Sequence, residues 1–319
     1  MLERDLIQAL VEKATPQPGV TVGLGDDLAV LERPGGPALL VGVDPVIAGV
    51  HFDPPRDPPE LVGRKALCRN LSDVAAMAAR PVACLAALTI GRRETGAAEH
   101  AVAMMQGLQD AAGLFRCPLV GGDTASADGP TTLSVTVVAE AVDHPPITRA
   151  GAQTGDVLCV TGPLGGSLLP GPQGQPPHHL AFTPRVDAAL ALAQAFGGDL
   201  HAMMDLSDGL AMDAPHLAQA SGVDLEVDLD ALPVRTVAQQ AHPAPEARWR
   251  SALGDGEDYE LLLALAPDAS PRAALPPDVT LTAIGRVVAP SSPPGRVAWL
   301  TPDGRPFDTT GLGWEHAAP

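Results

Sequence analysis

Residues 205–213, DLSDGLAMD, place three carboxylates, a serine and a glycine at what reads as the start of a helix. Leu210, Ala214 and Leu217 recur at helical spacing and turn one apolar stripe toward a core. Ser207 or Asp208 suits the helix N-cap, where a side-chain oxygen takes an unpaired backbone N–H. A helix N-terminus with a glycine beside it is equally a natural phosphate site. From these residues alone both readings stand. Pro215 removes a backbone donor inside that helix and is expected to kink or restart it.

Outward from this stretch, Asp recurs in similar settings, at strand ends, in glycine turns or at helix starts. The segments are GLGDD (Asp26, Asp27), VGVD (Asp44), NLSD (Asp73), VGGD (Asp123), DLSD (Asp205, Asp208) and GDGED (Asp255, Glu257, Asp258). Each alone suits a turn or cap. Together they suit Mg²⁺, a hard cation held by a few carboxylates with phosphate oxygens and water. Glycine turns beside them let phosphates approach the backbone.

Hydrophobic periodicity supplies the frame. Helices are predicted over about 3–14, 59–79, 95–114 and 183–196, and strands at 38–44, 82–90, 117–123, 131–142, 157–162, 222–229, 258–266 and 279–288. The 82–90 strand reads as fully buried, and the Gly/Pro-rich stretch 162–177 as a flexible loop. A Pro-rich shift near residue 145 divides the chain into 1–145 and 146–319. Both halves mix strands and helices, which predicts two α/β (α+β) domains.

Composition excludes several classes. The 319 residues carry a formal net charge of −18, which argues against nucleic-acid and anionic-membrane partners. The four cysteines form no C-x-x-C pair, so zinc and disulfide frameworks are unexpected, and reduced thiols in a cytoplasmic chain fit best. No apolar run is long enough to span a bilayer. The only lysines are Lys13 and Lys65 and no G-x-x-x-x-G-K-[ST] loop exists, which excludes a P-loop. No H-R-D or D-F-G set is present, and GLGDD lacks the third glycine of a dinucleotide fingerprint.

In order, GLGDDLAVL, VDPVIAGVHFD, KALCRNLSDVAAMAARP, LVGGDT, TRAGAQTGDVLCVTG, DLSDGL and GEDYEL resemble the thiamine-monophosphate kinases, within the superfamily typified by aminoimidazole ribonucleotide synthetase. GGDT or SDGL alone would indicate only the superfamily; GVHF, the NLSDVAAM spacing and GEDYEL together indicate the kinase. The resemblance implies the two-domain fold of that superfamily, with an N-terminal mixed sheet pairing across a homodimer. It implies transfer of a phosphoryl group from ATP to thiamine monophosphate with several Mg²⁺ ions.

Carried over residue by residue, Asp27, Asp44, Asp73, Asp123, Asp205 and Asp208 would bind Mg²⁺. The resemblance thus separates the three acids of DLSDGLAMD and leaves Asp213 as a surface residue of the helix. Gly122, Asp123, Arg149 and Ser207 would contact ATP, and His51, Glu257 and Trp314 would contact the thiamine ester. No general base is implied. Gly42 and Val43 stand where the family usually has hydroxyl residues before Asp44, and Pro45 where it commonly has threonine; both bear on the metal count. A selenophosphate-synthase-like or cyclising relative, and a non-catalytic nucleotide binder, are the competing readings. The former would need a reactive Cys near the amino terminus, whereas the first cysteine is Cys68.

Overall fold

A computed structural model describes the chain except for residues 1–8, 12, 16, 94, 271–274, 278 and 315–319. Most of the helix expected over 3–14 lies outside the described residues. Two six-stranded mixed sheets organise the rest. The first takes β1 (Val20–Val22), β2 (Ala29–Leu31), β3 (Leu39–Ile47), β4 (Arg80–Gly91), β5 (Leu119–Ala127) and β6 (Thr132–Glu140), in the order β1-β2-β3-β6-β4-β5. Every neighbour pair is antiparallel except β4/β5.

Helices α1 (Pro59–Ala76) and α2 (Ala97–Leu114) cover one face of this sheet. Leu67, Leu71, Val74 and Met77 are buried there against Leu133, Val135 and Val137, whose period of two gives β6 its inward side. The helices touch through Gly63 and Gly107. A methyl at Gly63 would lie 1.7 Å from the Met104 carbonyl, and one at Gly107 would lie 1.9 Å from the Glu60 carbonyl.

The other face of the sheet is open. Val43 and Val120 are 62% and 63% exposed, and Val82 and Leu85 are exposed on β4. The 82–90 strand, expected to be fully buried, therefore buries only alternate residues, Cys84, Ala86 and Leu88. Helices lie on one side of it, so an uninterrupted apolar run here marks a two-faced strand rather than a covered one.

The second sheet takes β7 (Val157–Thr161), β8 (Leu200–Asp205), β9 (Asp224–Asp228), β10 (Leu261–Leu265), β11 (Leu281–Val288) and β12 (Val297–Leu300), in the order β12-β9-β11-β7-β10-β8. Its helices are α3 (His178–Ala181), α4 (Val186–Phe196), α5 (Leu210–Ser221), α6 (Thr236–Ala241) and α7 (Pro245–Gly254). Strand β10 is buried along its whole length, with α5 on one side of the sheet and α4 on the other. The α4 side also takes in Ala75 and Ala78, from the end of α1 and just beyond it, so one apolar cluster joins the two halves.

Helix α5 runs through Pro215 as one element, with Leu210, Ala214 and Leu217 buried as the stripe requires. Asp213 corrects its reading as a surface residue: it is buried, and its carboxylate accepts the backbone N–H groups of Asp208 and Gly209, both at 3.1 Å. Gly209 occupies the N-cap and has no side chain, so neither Ser207 nor Asp208 caps the helix from that position. A carboxylate one turn inside reaches back instead.

Candidate active site

The junction of the two sheets collects the acids. Asp27 precedes β2, Asp73 stands on α1 and Asp205 ends β8; one carboxylate oxygen from each lies within 4.8 Å of the others. Burial, then the charges of Asp44, Asp205 and Asp27, push Asp73 well above the ordinary carboxylate range. Asp27 is pushed up to about 7, by burial first, against the pull of Arg149. Asp205 is raised by burial although it accepts the Ser72 hydroxyl at 2.6 Å. Like charges in a water-poor site resist ionisation until a cation joins them.

The donor set fits a hard divalent cation. It consists of carboxylates alone, and Asp27 Oδ2 is buried with no hydrogen-bond partner. Asp44 borders the trio: its carboxylate pairs with the Arg69 guanidinium at 3.1 Å, and its N–H donates to Asn70 Oδ1 at 3.1 Å. Asp123 and Asp208 stand outside this close group, Asp123 on the exposed strand β5 and Asp208 in the turn after β8. Gly122 pairs with Ala86 across β4/β5, and a methyl there would lie 1.9 Å from the Ala86 carbonyl, so the tight strand approach requires glycine. Arg149 donates to Asp27 at 2.5 Å, and its Nε lies 3.7 Å from Asp26.

Beside the trio opens a cleft of about 360 Å³. Its wall brings His51, Ser207, Asp208, Glu257 and Trp314 together, along with Arg69 and Tyr259, so five of the residues singled out in the sequence share one cavity. The turn after β8 and the GDGEDYE segment are stitched side by side. Glu257 N–H donates to the Ser207 carbonyl at 2.7 Å, Tyr259 N–H to Leu206 at 2.8 Å, and Leu206 N–H to Glu260 at 2.8 Å. A methyl on Gly256 would meet the Ser207 and Asp208 carbonyls at 3.1 Å. Glu257 (φ 53°) and Tyr259 (φ 51°) take left-handed backbone conformations that side chains normally avoid. Such strain persists where surrounding contacts impose it, commonly at functional sites. Trp314 is hung on the same turn, its N–H donating to the Asp208 carbonyl at 2.9 Å.

Beneath the cleft lies a group that the sequence reading passed over. Lys65, wholly buried, donates to the Glu257 carboxylate, to the His51 carbonyl at 2.8 Å, and meets His179 Nδ1 at 3.0 Å. His179 also lies 3.1 Å from Glu257. Burial opposes ionisation of Glu257, but the hydrogen bonds and charges of His179 and Lys65 outweigh it and hold its carboxyl down to about 2. Lys65 itself is lowered by burial, partly offset by Glu257. A lysine in a chain with one other was a signal in the sequence; its partner His179 lies beyond the stretch read as a flexible loop.

That stretch, 162–177, is firmly held over its first half. Gly165 N–H donates to Asp258 at 2.9 Å, Gly166 N–H to Asp255 at 2.7 Å, and Ser167 to the Gly256 carbonyl at 2.5 Å. Carboxylates of GDGED thus serve two purposes: Glu257 and Asp255 line the cleft, while Asp255 and Asp258 hold the glycine turn.

Lys65, Arg69, Ser72 and Asp73 stand at i, i+4, i+7 and i+8, on one side of α1. That side carries, in order, the contact to Glu257, the contact to Asp44, the contact to Asp205 and a member of the carboxylate trio.

Comparisons with known proteins place the whole chain in a family. The family described as "AIR synthase related protein, N-terminal domain" matches residues 25–141, and "AIR synthase related protein, C-terminal domain" matches residues 153–293. The thiamine-monophosphate kinase of Rhodopirellula baltica is 34% identical over 90% of this chain and 90% of its own. That of Caulobacter vibrioides is 33% identical over 98% of this chain and 90% of its own. The solved structure described as "AaThiL complexed with AMPPCP and TMP" superposes with a TM-score of 0.78 at 30% identity, covering 98% of this chain and 96% of that one. With both halves matched and this identity along nearly the whole length, the chain belongs to the thiamine-monophosphate kinase family of AIR-synthase-related proteins.

Proposed function

We propose that the protein phosphorylates thiamine monophosphate at the expense of ATP, giving thiamine diphosphate and ADP. The observation that carries this is the convergence of Asp27, Asp73 and Asp205 behind a cleft lined by His51, Glu257 and Trp314. The kinase relatives and the complex with AMPPCP and TMP support it.

The acceptor phosphate is already an anion, so its oxygen attacks the γ-phosphorus without a general base. The obstacle is repulsion between two phosphates, which calls for positioning and charge neutralisation. Mg²⁺, when bound, supplies that neutralisation, with Asp27, Asp73 and Asp205 as its central holders and Asp44, Asp123 and Asp208 as the surrounding acids. Arg149 keeps Asp27 oriented and adds positive charge on the nucleotide side, where Gly122, Asp123 and Ser207 also contact ATP. His51, Glu257 and Trp314 receive the thiamine portion, with ionised Glu257 facing a substrate that carries a cationic thiazolium ring. Lys65 and His179 fix the Glu257 carboxylate, and the cleft walls exclude water that would compete as acceptor.

Residues 1–145 act as the nucleotide, metal and pairing domain, and 146–319 complete the site. The open apolar face at Val43, Val82, Leu85 and Val120 suits pairing with a second copy as a homodimer, which size-exclusion chromatography with light scattering tests. No helix among the described residues is long and apolar enough to cross a membrane. We assign the reaction to the cytoplasm, where ATP is available and the four buried thiols stay reduced. The direct test is incubation of purified protein with ATP, Mg²⁺ and thiamine monophosphate. Thiamine diphosphate and ADP should form in equal amounts; ADP without thiamine diphosphate, or no turnover, overturns the reading.

A further inference from the structure

We propose that Arg69 binds the acceptor phosphate, standing beside Asp44 as a built-in cation where a further metal ion would otherwise be needed. The proposal deepens the kinase reading and rests on it. Arg69 projects from α1 one turn before Asp73, and its side chain is 14% exposed where it borders the cleft. One end of the guanidinium is fixed: Nη1 donates to the Pro45 carbonyl at 3.0 Å, and Nη2 pairs with Asp44 at 3.1 Å. The group carries five N–H donors in a rigid fork suited to phosphate oxygens. Each terminal nitrogen keeps a second N–H beyond these contacts, and the Nε, like that of Arg149, is buried with no hydrogen-bond partner, so the fork has donor capacity that the protein does not fill.

The surroundings of Asp44 favour an arginine over an ion. Asp44 is not in the close trio, and the two residues before it, Gly42 and Val43, offer no side-chain oxygen. A methyl at position 42 would lie 2.3 Å from Leu28 Cδ2, so a larger residue there requires the Leu28 side chain to shift. Mg²⁺ needs a near-octahedral shell of oxygens, which this corner supplies poorly, whereas a single carboxylate suits a guanidinium well.

The same cleft decides which phosphate is bound. Of the two arginines beside the acids, Arg149 is engaged by Asp26 and Asp27, and it does not line the cavity that holds His51, Glu257 and Trp314. Arg69 does, so it meets the phosphate that arrives attached to the thiamine portion. The resulting site carries fixed positive charge at the acceptor before any metal or nucleotide binds.

The test measures binding by calorimetry in EDTA without ATP, comparing thiamine monophosphate with thiamine, in wild type and Arg69→Met. Wild type should bind the phosphate ester more tightly than thiamine. Arg69→Met should weaken the ester by roughly tenfold or more, the scale of one charge-assisted hydrogen bond, and leave thiamine within about twofold. In turnover, KM for thiamine monophosphate should rise while KM for ATP changes by less than about threefold, and Arg69→Lys should recover part of the loss. Should Arg69→Met fail to fold with Asp44 unpaired, the double variant Asp44→Asn/Arg69→Met removes both charges and is compared with Asp44→Asn alone. Equal losses for ester and thiamine, unchanged ester binding, or a wild type that does not prefer the ester overturns the proposal. Failure of the kinase reading is distinct: wild-type protein would then make no thiamine diphosphate at all.

Discussion

The Ser72 hydroxyl donates to the Asp205 carboxylate across 2.6 Å, joining a helix of the first sheet to a strand of the second at the carboxylate trio. Both groups are buried, so Ser72→Ala leaves a carboxylate oxygen without its donor. The variant should lose about 1.5–3 kcal/mol of stability, the range for hydrogen bonds to charged groups. Activity should fall roughly 10–100-fold, as when a residue orienting a metal ligand is lost. Thermal unfolding and kinase assays with varied Mg²⁺ check this; a change in melting temperature with an unaltered Mg²⁺ requirement would restrict Ser72 to a structural part.

Asp73→Asn separates function from folding. Asn keeps the side-chain shape but removes one charge from three that repel one another, and Asp73 is held well above the usual carboxylate range by burial and those neighbours. Metal-free protein should be as stable as wild type or more stable, while activity drops roughly a hundredfold or more. Melting curves in EDTA, paired with kcat, decide it. Equal loss of both would mean that the carboxylate supports the fold rather than the ion.

Magnesium affinity should depend on pH near neutrality. The Asp27 carboxyl sits up to about 7 when folded, against 3.8 when exposed, so the folded metal-free protein holds more protons through that interval. Its contribution to stability is therefore full below pH 3.8 and is lost as pH rises through 7. Glu257, lowered to about 2, acts oppositely and contributes above pH 4.5, being lost as pH falls toward 2. Because Mg²⁺ displaces the proton, its half-saturating concentration should fall between pH 6 and 8 and level off above. Calorimetric titration in buffers of different ionisation heat should show proton release at pH 6.5 and little at 8.5.

Lys65→Met isolates the charge beneath the cleft. Methionine matches the lysine stem but leaves Glu257 and His179 without the ammonium. Breaking such a buried pair from one side should cost about 3–5 kcal/mol. Adding Glu257→Gln should recover part of that stability while binding of thiamine monophosphate stays weak. Denaturation curves for the two single variants and the double variant give the coupling. A strictly additive double variant would show that the two groups do not interact energetically.

Much of the site was legible because its parts recur as Asp at strand ends, in glycine turns or at helix starts, a short-range pattern. Asp27, Asp73 and Asp205 announced themselves that way and do converge, and His51, Ser207, Asp208, Glu257 and Trp314 share the cleft. Strand and helix periods gave most elements, apart from short ones such as β12 and α6, whose few residues carry little periodic signal. What remained hidden depends on long-range partners. Apart from the scarcity of lysine, nothing marks Lys65 or Arg69 off from a solvated helix cation; their partners are distant in sequence, Glu257 and Asp44. Asp213 misled for a different reason: its partners are near in sequence, the N–H groups of Asp208 and Gly209, but an acid one turn inside a helix reads as surface until the glycine N-cap leaves those donors to it. The 162–177 stretch looked mobile from its glycines, although Asp255, Asp258 and Ser251 pin those same glycines.

One side of α1 carries Lys65 at its substrate end and Asp73 at its phosphoryl end. At 1.5 Å per residue these positions lie about 12 Å apart along the axis. The helix thus works as a ruler whose marks cannot slide, because Gly63 locks it against α2 and Ala75 embeds it in the second sheet's apolar cluster. The distance between the Glu257 contact and the carboxylate trio is then a property of helical rise, built into the scaffold rather than set by a loop.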